Sequence, residues 1–239
     1  MNAFGGRMVH VLAVAGLAIA SAFNCAYAQD NEGFRIGVTG GVNFNYVDAS
    51  IQNFVSVPDN PGFATNDFSG SYDFLGMGGI VGKYLFNDLV GVTLRSTFDS
   101  RCVEREVNGN TFTPHLVYVT VEPGIRINLG IPDLHAMAGG MIAFNVKNNY
   151  DYIPVSGEGN TQIVDADLMH ARDIVYGAWA GVGYDIKVSG MECPVDLFVT
   201  PFLEGSMLFD QKEPDVPMPD DQWWNTMTAR GGVQLKVAF

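Results

Sequence analysis

The last thirteen residues of the chain, 227–239, read MTARGGVQLKVAF, and this stretch decides the fold. Apolar or small residues alternate in it with mostly polar ones such as Thr228, Arg230 and Gln234. Because successive side chains of a β-strand point to opposite faces, this period of two predicts a strand with one apolar and one polar face. The stretch is longer than the ~5–6 residues of a typical soluble strand. It is long enough for the ~9–11 residues that cross a bilayer as a strand.

Seven earlier stretches predict further strands. The alternation is clearest in residues 34–46 and 115–129, where polar side chains such as Thr39, Asn43 and Glu122 occupy every second position. The other five strands are predicted at residues 74–86, 89–98, 134–147, 174–188 and 195–209. The sequence therefore predicts an all-β protein with eight strands.

The connections between these strands alternate between short and long. Short turns are expected at residues 87–88, 130–133 and 189–194, and long loops at 47–73, 99–114, 148–173 and 210–223. Short turns at one end and long loops at the other are typical of outer-membrane barrels. The Asn108-Gly109 pair in the second loop is a strong hairpin signal, so a ribbon is expected to continue beyond the membrane there.

A membrane barrel and a soluble β-protein share the period of two, and strand length and aromatic placement favour the barrel. In lipid every backbone polar group needs an internal partner, so a sheet must close on itself. Aromatic residues cluster at the predicted strand ends, as they do in interfacial girdles. They are Phe34, Tyr46, Tyr84, Phe86, Phe98, Phe144, Tyr184, Phe209 and Phe239. We therefore predict a closed antiparallel transmembrane β-barrel. A soluble periplasmic ligand-binding β-barrel is the alternative that detergent-free extraction would reveal.

The N-terminal residues 1–28 have the features of a secretory signal peptide. Arg7 precedes an apolar run over residues 9–22, and Ala26-Tyr27-Ala28 supplies a small-residue cleavage site. The run is short for a helical span of ~20 apolar residues. We expect cleavage after Ala28, which leaves residues 29–239 as one barrel domain.

Composition excludes several classes of protein. The chain has 239 residues, 47% hydrophobic and 16% charged, with a formal net charge of −13. Nucleic-acid binding is not expected, since it would need a basic footprint. The three cysteines are too few for a disulfide scaffold. No bond between Cys102 and Cys193 is expected, because the barrel would separate them by roughly 25 Å.

The end of the chain also carries a resemblance. Phe239, with Val237, Leu235 and Val233 before it, resembles the C-terminal insertion signal of bacterial outer-membrane β-barrel proteins. With its signal peptide and eight strands, the chain is similar to the small eight-stranded outer-membrane barrels, including the OmpA-type transmembrane domain and the porin family. The resemblance implies outer-membrane lipids and the barrel-assembly machinery as partners. It implies no particular activity.

The polar faces of the strands would line the lumen of such a barrel. Counted from the short-turn ends, Arg95, Glu122, Glu204 and Arg230 fall at similar heights, so Arg95 can face Glu122 and Glu204 can face Arg230. Nearer the turns lie Lys83, Arg126, Asp185 and Lys236. An eight-stranded barrel is just wide enough for side chains to fill, and buried charges need partners. We therefore predict a lumen plugged by paired charges, with a gate or ion path as the alternative.

The glycines on these faces are expected to make room for long side chains and to ease strand bending. They are Gly37, Gly41, Gly91, Gly181, Gly183 and Gly232.

These features predict an integral outer-membrane protein with a structural or surface-interaction role. Its loops would face outside, where an unidentified ligand would bind, and both termini would be periplasmic. A small porin-like channel for ions or small solutes is the alternative. An outer-membrane hydrolase is disfavoured, because no spacing requires His170, Asp165, Asp167 and Ser156 to converge. No catalytic residue, cofactor or metal is predicted, since the acidic loops are explained more simply as solvated surface.

Overall fold

Eight long strands make up the architecture of the protein. The computed structural model describes residues 33–50, 68–69, 74–102, 105–107, 110–153, 161–163, 172–189, 195–211 and 223–239. In chain order, β1 to β8 are Gly33–Ser50, Phe74–Leu85, Val90–Cys102, Asn110–Asn128, Leu134–Ile153, Ile174–Tyr184, Asp196–Phe209 and Trp223–Ala238. Short paired segments are Phe68–Ser69, Arg105–Val107, Thr161–Ile163 and Ile186–Lys187. In these described ranges no helix is long and apolar enough to cross a membrane.

The sheet closes on itself. Each long strand pairs antiparallel with the next one along the chain. The last strand, β8, pairs with β1 from Arg35 opposite Ala238 to Ser50 opposite Trp223. The amide of Phe239 then donates to the carbonyl of Phe34 at 3.1 Å. Because β1 and β8 are joined, the eight-stranded sheet has no open edge, and the predicted closed antiparallel barrel is confirmed.

Several strands are longer than predicted on the side of the long loops. Strand β3 reaches Cys102, β4 begins at Asn110 and β5 reaches Ile153. Arg105–Val107 pairs with β4, with Val107 opposite Asn110, so the predicted ribbon is confirmed. Residues 99–102 and 110–114, which were assigned to the long connection, belong to β3 and β4. Backbone pairing continues where no apolar face is needed, so a polar sequence does not mark the end of such a strand.

One predicted strand is interrupted. Residues 174–188 were expected to be continuous, but β6 ends at Tyr184 and a short segment, Ile186–Lys187, pairs with β7. The amide of Asp185 donates to the carbonyl of Asp133 at 3.0 Å. Asp185 itself is buried, whereas Tyr184 and Ile186 on either side of it are exposed. Asp185 thus keeps the inward position that the alternation of β6 gives it, although the strand pairing is interrupted there.

The polar faces of the strands point inward and the apolar faces point outward. Val38 is 55% exposed and Val233 is 44% exposed, while their neighbours Thr39 and Gln234 are 5% and 1% exposed. A soluble barrel would have the opposite arrangement, because its apolar side chains would form the interior. The outward apolar face is the one that a lipid environment requires.

Exposed aromatic side chains form two groups on the outer surface. At the short-turn end they are Tyr84, Phe86, Tyr184 and Phe239, and towards the long-loop end they are Tyr46, Phe98, Tyr176 and Phe209. Tyr84 and Phe86 pack edge to face, with ring centroids 5.3 Å apart. Of the other predicted girdle residues, Phe34 and Phe144 are half-buried. Two aromatic belts flanking an apolar band mark the two interfaces of a membrane barrel.

The predicted signal peptide and parts of the long loops lie outside the described residues. The boundary between residues 28 and 29 therefore stays a prediction. The same holds for the expected absence of a Cys102–Cys193 bond, because Cys193 is not among the described residues.

Candidate functional site

Strand register brings the predicted mid-lumen charges face to face. Arg95 on β3 lies opposite Glu122 on β4, and Glu204 on β7 lies opposite Arg230 on β8. Within the first pair, Arg95 Nε donates to Glu122 Oε2 at 2.6 Å. All four side chains are buried. The alternation that points them inward and the register that aligns them thus produce one charged layer.

The two pairs also join across the lumen. Arg95 donates to Glu204 on the opposite wall through both Nη atoms, at 2.9 and 2.5 Å. Arg230 Nη1 donates to Glu122 at 2.8 Å and to Glu204 at 3.3 Å. Each arginine therefore contacts both glutamates. The four residues form a continuous bridge across the barrel instead of two separate pairs.

Sequence reasoning missed two members of this network. Asp99 and Arg101 were assigned to the second long loop, yet both are buried on β3. Arg230 Nη2 donates to Asp99, and Arg101 Nε donates to the same carboxylate at 2.9 Å. Asn43 on β1 is a further donor to Asp99. The signal was present, because Arg95, Thr97, Asp99 and Arg101 continue the inward alternation of β3.

Aromatic rings fill much of the space around this layer. The guanidinium of Arg95 lies 5.0 Å from the ring centroid of Trp179 and 5.6 Å from that of Phe202. The indole of Trp179 donates to the carbonyl of Gly140 at 3.0 Å. Closer to the long loops, Gln211 Nε2 donates to the hydroxyl of buried Tyr118 at 2.8 Å. Side chains from opposite walls thus occupy the lumen at more than one level.

A second cluster lies nearer the short turns and is centred on Asp185. Lys236 Nζ donates to Asp185 Oδ1 at 2.6 Å, and Arg126 Nη2 lies 3.1 Å from Oδ2. Arg35, which was not among the predicted charges of this group, donates to Oδ2 at 2.9 Å. Lys83 is also buried here. The structure therefore brings all four predicted lower charges into one region and adds Arg35.

The residues of the predicted insertion signal lie along β8. Val233, Leu235 and Phe239 are exposed on the outer face, and Val237 on the same face is half-buried. Strands β1 and β7 flank β8 on its two sides. These side chains are therefore part of the apolar band.

The residues considered for other chemistry are mostly outside the described part of the chain. His170, Asp165, Asp167 and Ser156 all fall there. His135 is fully buried in the lumen, with Nδ1 3.1 Å from the carbonyl of Asp133. Among the described residues no three His, Cys, Asp or Glu side chains are grouped so as to hold a metal ion.

A closed eight-stranded sheet, an apolar exterior with aromatic belts and a charged interior define an outer-membrane β-barrel. No protein-family model matches the sequence, and no curated protein does.

Several solved structures resemble the fold. Ail, the attachment invasion locus protein of Yersinia pestis, solved in complex with the heparin analogue sucrose octasulfate, is 12% identical with a TM-score of 0.35, covering 84% of this chain and 99% of Ail. The outer membrane protein OprG from Pseudomonas aeruginosa is 11% identical with a TM-score of 0.39, covering 86% and 96%. The outer membrane protease OmpT from Escherichia coli is 9% identical with a TM-score of 0.39, covering 90% and 99%.

Proposed function

We propose that the protein is a non-conducting barrel of the outer membrane, which carries its long connections on the outside as a surface for interaction. The observation that supports this most is the bridge of Arg95, Glu122, Glu204 and Arg230 across the lumen. A solute on the axis would have to separate these pairs. Breaking one side of a buried ion pair costs about 3–5 kcal/mol, so spontaneous opening of the bridge is rare.

The charge balance of the network supports a structural plug. Arg95, Arg101 and Arg230 face Asp99, Glu122 and Glu204, so the formal charges cancel. A selective pore uses a ring of one charge sign to attract its ion. A neutral layer in which each charged group has an ion-pair partner lacks that attraction, and its hydrogen bonds instead connect walls that belong to different hairpins.

Conductance in planar lipid bilayers tests this proposal. The folded wild-type protein should give no steady single-channel current, and Arg95→Ala should raise the current because it removes one of the two side chains that reach both glutamates. Lys187→Ala is the control, because Lys187 lies at the short-turn end and is exposed. Steady wild-type current would instead support the porin-like alternative, with the charged layer as part of an ion path.

The proposed orientation places the long loops outside the cell and both termini in the periplasm. It is supported by the short turns, which share one end of the barrel with the termini. An epitope tag between Ile153 and Thr161 should bind antibody on intact cells. The same tag in the turn of residues 130–133 should bind only after the outer membrane is permeabilised. The reverse pattern would invert the topology.

The C-terminal strand is proposed to present the insertion signal to the barrel-assembly machinery. Support comes from the outward position of Leu235 and Phe239. Deletion of Phe239 should lower the amount of protein in the outer membrane of cells while leaving the protein refolded in detergent nearly as stable. Normal insertion of the shortened chain would remove this role.

Catalysis is not part of the proposal. The alternative of an outer-membrane hydrolase would be supported if the purified protein cleaved peptides or lipid esters and if His170→Ala abolished that cleavage. Cleavage that survives in the variant would point to a contaminant or another site.

A further inference from the structure

The short-turn half of the lumen holds more positive charge than its own carboxylate neutralises. Arg35, Lys83, Arg126 and Lys236 are the cations, and Asp185 is the buried acid among them. The next carboxylates along the wall, Asp133 and Asp196, lie at the turns. Asp133 is exposed, and Asp196 pairs with Lys187 at 2.7 Å.

Asp185 has no capacity left for another donor. Its Oδ1 accepts from Thr200 at 2.5 Å and from Lys236 at 2.6 Å. Its Oδ2 receives Arg35 at 2.9 Å and Arg126 at 3.1 Å. A carboxylate has about four lone-pair sites, so these four partners saturate it.

Asp185 therefore has no oxygen lone pair free to accept a hydrogen bond from Lys83. The side chain of Lys83 is 1% exposed, and its Nζ meets no hydrogen-bond acceptor among the described residues. Two further cations, Lys236 and Arg126, interact electrostatically with it, as does Asp185. A buried ammonium beside a second cation and without an acceptor costs several kcal/mol.

Other donors in the same region are unused as well. Within the described part of the chain, Arg126 Nε and Nη1 have no partner. His135 Nε2 has none either, but on a neutral ring it is an acceptor, because Nδ1 faces the carbonyl of Asp133 and carries the hydrogen. His135 interacts electrostatically with both Lys83 and Arg126, so these groups belong to one neighbourhood. Several nitrogen donors and an excess of positive charge are the elements of an anion site.

We propose that the short-turn end of the lumen binds a small oxyanion of the phosphate class, held by Lys83 and Arg126 with His135 beside them. Several N–H donors from different strands suit an anion with several oxygen atoms better than a single-atom halide. Arg35 is the most exposed cation of the cluster, because its side chain is 12% exposed. Its guanidinium lies 4.0 Å from the ring centroid of Phe198. The proposal is independent of whether the barrel conducts.

Titration of the folded protein with inorganic phosphate tests the site. The protein is held in a detergent without phosphate groups, and amide chemical shifts near Lys83, Arg126 and His135 are followed by NMR. We expect saturable shifts at these positions. Lys83→Met removes the charge at similar size and should weaken the apparent affinity about tenfold or more, as expected for loss of one charged hydrogen bond.

Matched variants and a second anion make the result decisive. Lys187→Met removes an exposed lysine at the same end of the barrel and should leave the phosphate response unchanged. Heat-modifiable gel mobility verifies that each variant is folded, and Lys83→Gln replaces Lys83→Met if the latter fails to fold. The proposal is overturned if wild-type protein shows no saturable response, if Lys83→Met responds like wild type, or if chloride produces the same shifts at the same concentration.

Discussion

Arg230 shows how much a single side chain does in this barrel. It is fully buried and donates to Asp99, Glu122 and Glu204, which come from three different strands. The planar guanidinium can address several carboxylates because its donors are arranged in a rigid fork. The compact ammonium of a lysine cannot reproduce that geometry. The residue thus takes the place of part of the apolar core that a soluble protein would have.

At this scale we predict that Arg230→Met strongly destabilises the protein. Three carboxylates lose a shared cation in a region that excludes water, and breaking a buried ion-pair network costs about 3–5 kcal/mol. Urea unfolding from lipid vesicles, followed by gel mobility, measures the change in the free energy of unfolding. Lys187→Met serves for comparison, because exposed ion pairs contribute little. Equal stability of the two variants would show that the network is not structural.

At the scale of the strands, glycines set how closely β1 and β8 approach. Gly41 faces the lumen opposite Gly232, and a Cβ added to it would lie 2.9 Å from the Cα of Gly232. The expected reason for this glycine, room for long side chains, is therefore incomplete, because the neighbouring backbone is the obstacle. Gly183 fits the expectation that a glycine makes room for a long side chain, because an added Cβ would lie 2.8 Å from Nε2 of His135.

The adjacent pair Gly40 and Gly41 provides a test within one strand. Gly41→Ala should destabilise the barrel by about 1–3 kcal/mol, the usual cost of overpacking. Gly40→Ala should be neutral or stabilising by up to about 1 kcal/mol, because Gly40 faces outward and its nearest contact would be 3.9 Å away. The urea midpoints of both variants measure this difference. Equal midpoints would contradict the proposed close approach of β1 and β8.

At the scale of the whole molecule, the distribution of polarity is the reverse of that in a soluble protein. Buried arginines, lysines and threonines share the interior with aromatic rings and methionines, while valines, leucines and isoleucines cover the outside. Such an exterior is stable only where lipid replaces water, since exposed apolar surface in water is unfavourable. The closed sheet pairs its own backbone N–H and C=O groups, so it is stable in lipid, where water offers them no hydrogen bonds.

This arrangement predicts that a charge on the outer surface lowers the free energy of unfolding by an amount that depends on its depth in the membrane. Leu203 is 63% exposed and precedes Glu204 of the central layer, so it lies near mid-membrane. Leu203→Lys should destabilise the protein in lipid vesicles by about 2–4 kcal/mol, and Ile131→Lys in a short turn by about 0–1 kcal/mol. Ile131 is similarly exposed, at 57%. Two small and equal effects in reversible unfolding would mean that lipid does not cover Leu203.

Much of the fold and of the charged layer could be predicted from the alternation within single strands. The period of two in residues such as 227–239 sets which side chains share a face, and the count of short and long connections sets the antiparallel order. The pairing of Arg95 with Glu122 followed from counting residues up from the short-turn ends of their two strands, because both strands start at the same interface and rise by the same distance per residue. The continuation of β3 as a ribbon was predicted, but the inward position of Asp99 and Arg101 was missed, because the polar Ser100 between them leaves no apolar face that marks the strand.

The sequence by itself determined that the chain forms eight alternating strands and that each hairpin places its charges at known heights. Only the tertiary structure decided which charges meet across the lumen. Arg95 reaches Glu204, and Arg230 reaches Glu122 and Asp99, because closure brings distant hairpins within the length of one side chain. The same closure gathers Arg35, Lys83, Arg126 and Lys236 around Asp185. Periodicity along one strand contains no information on distances across the barrel axis.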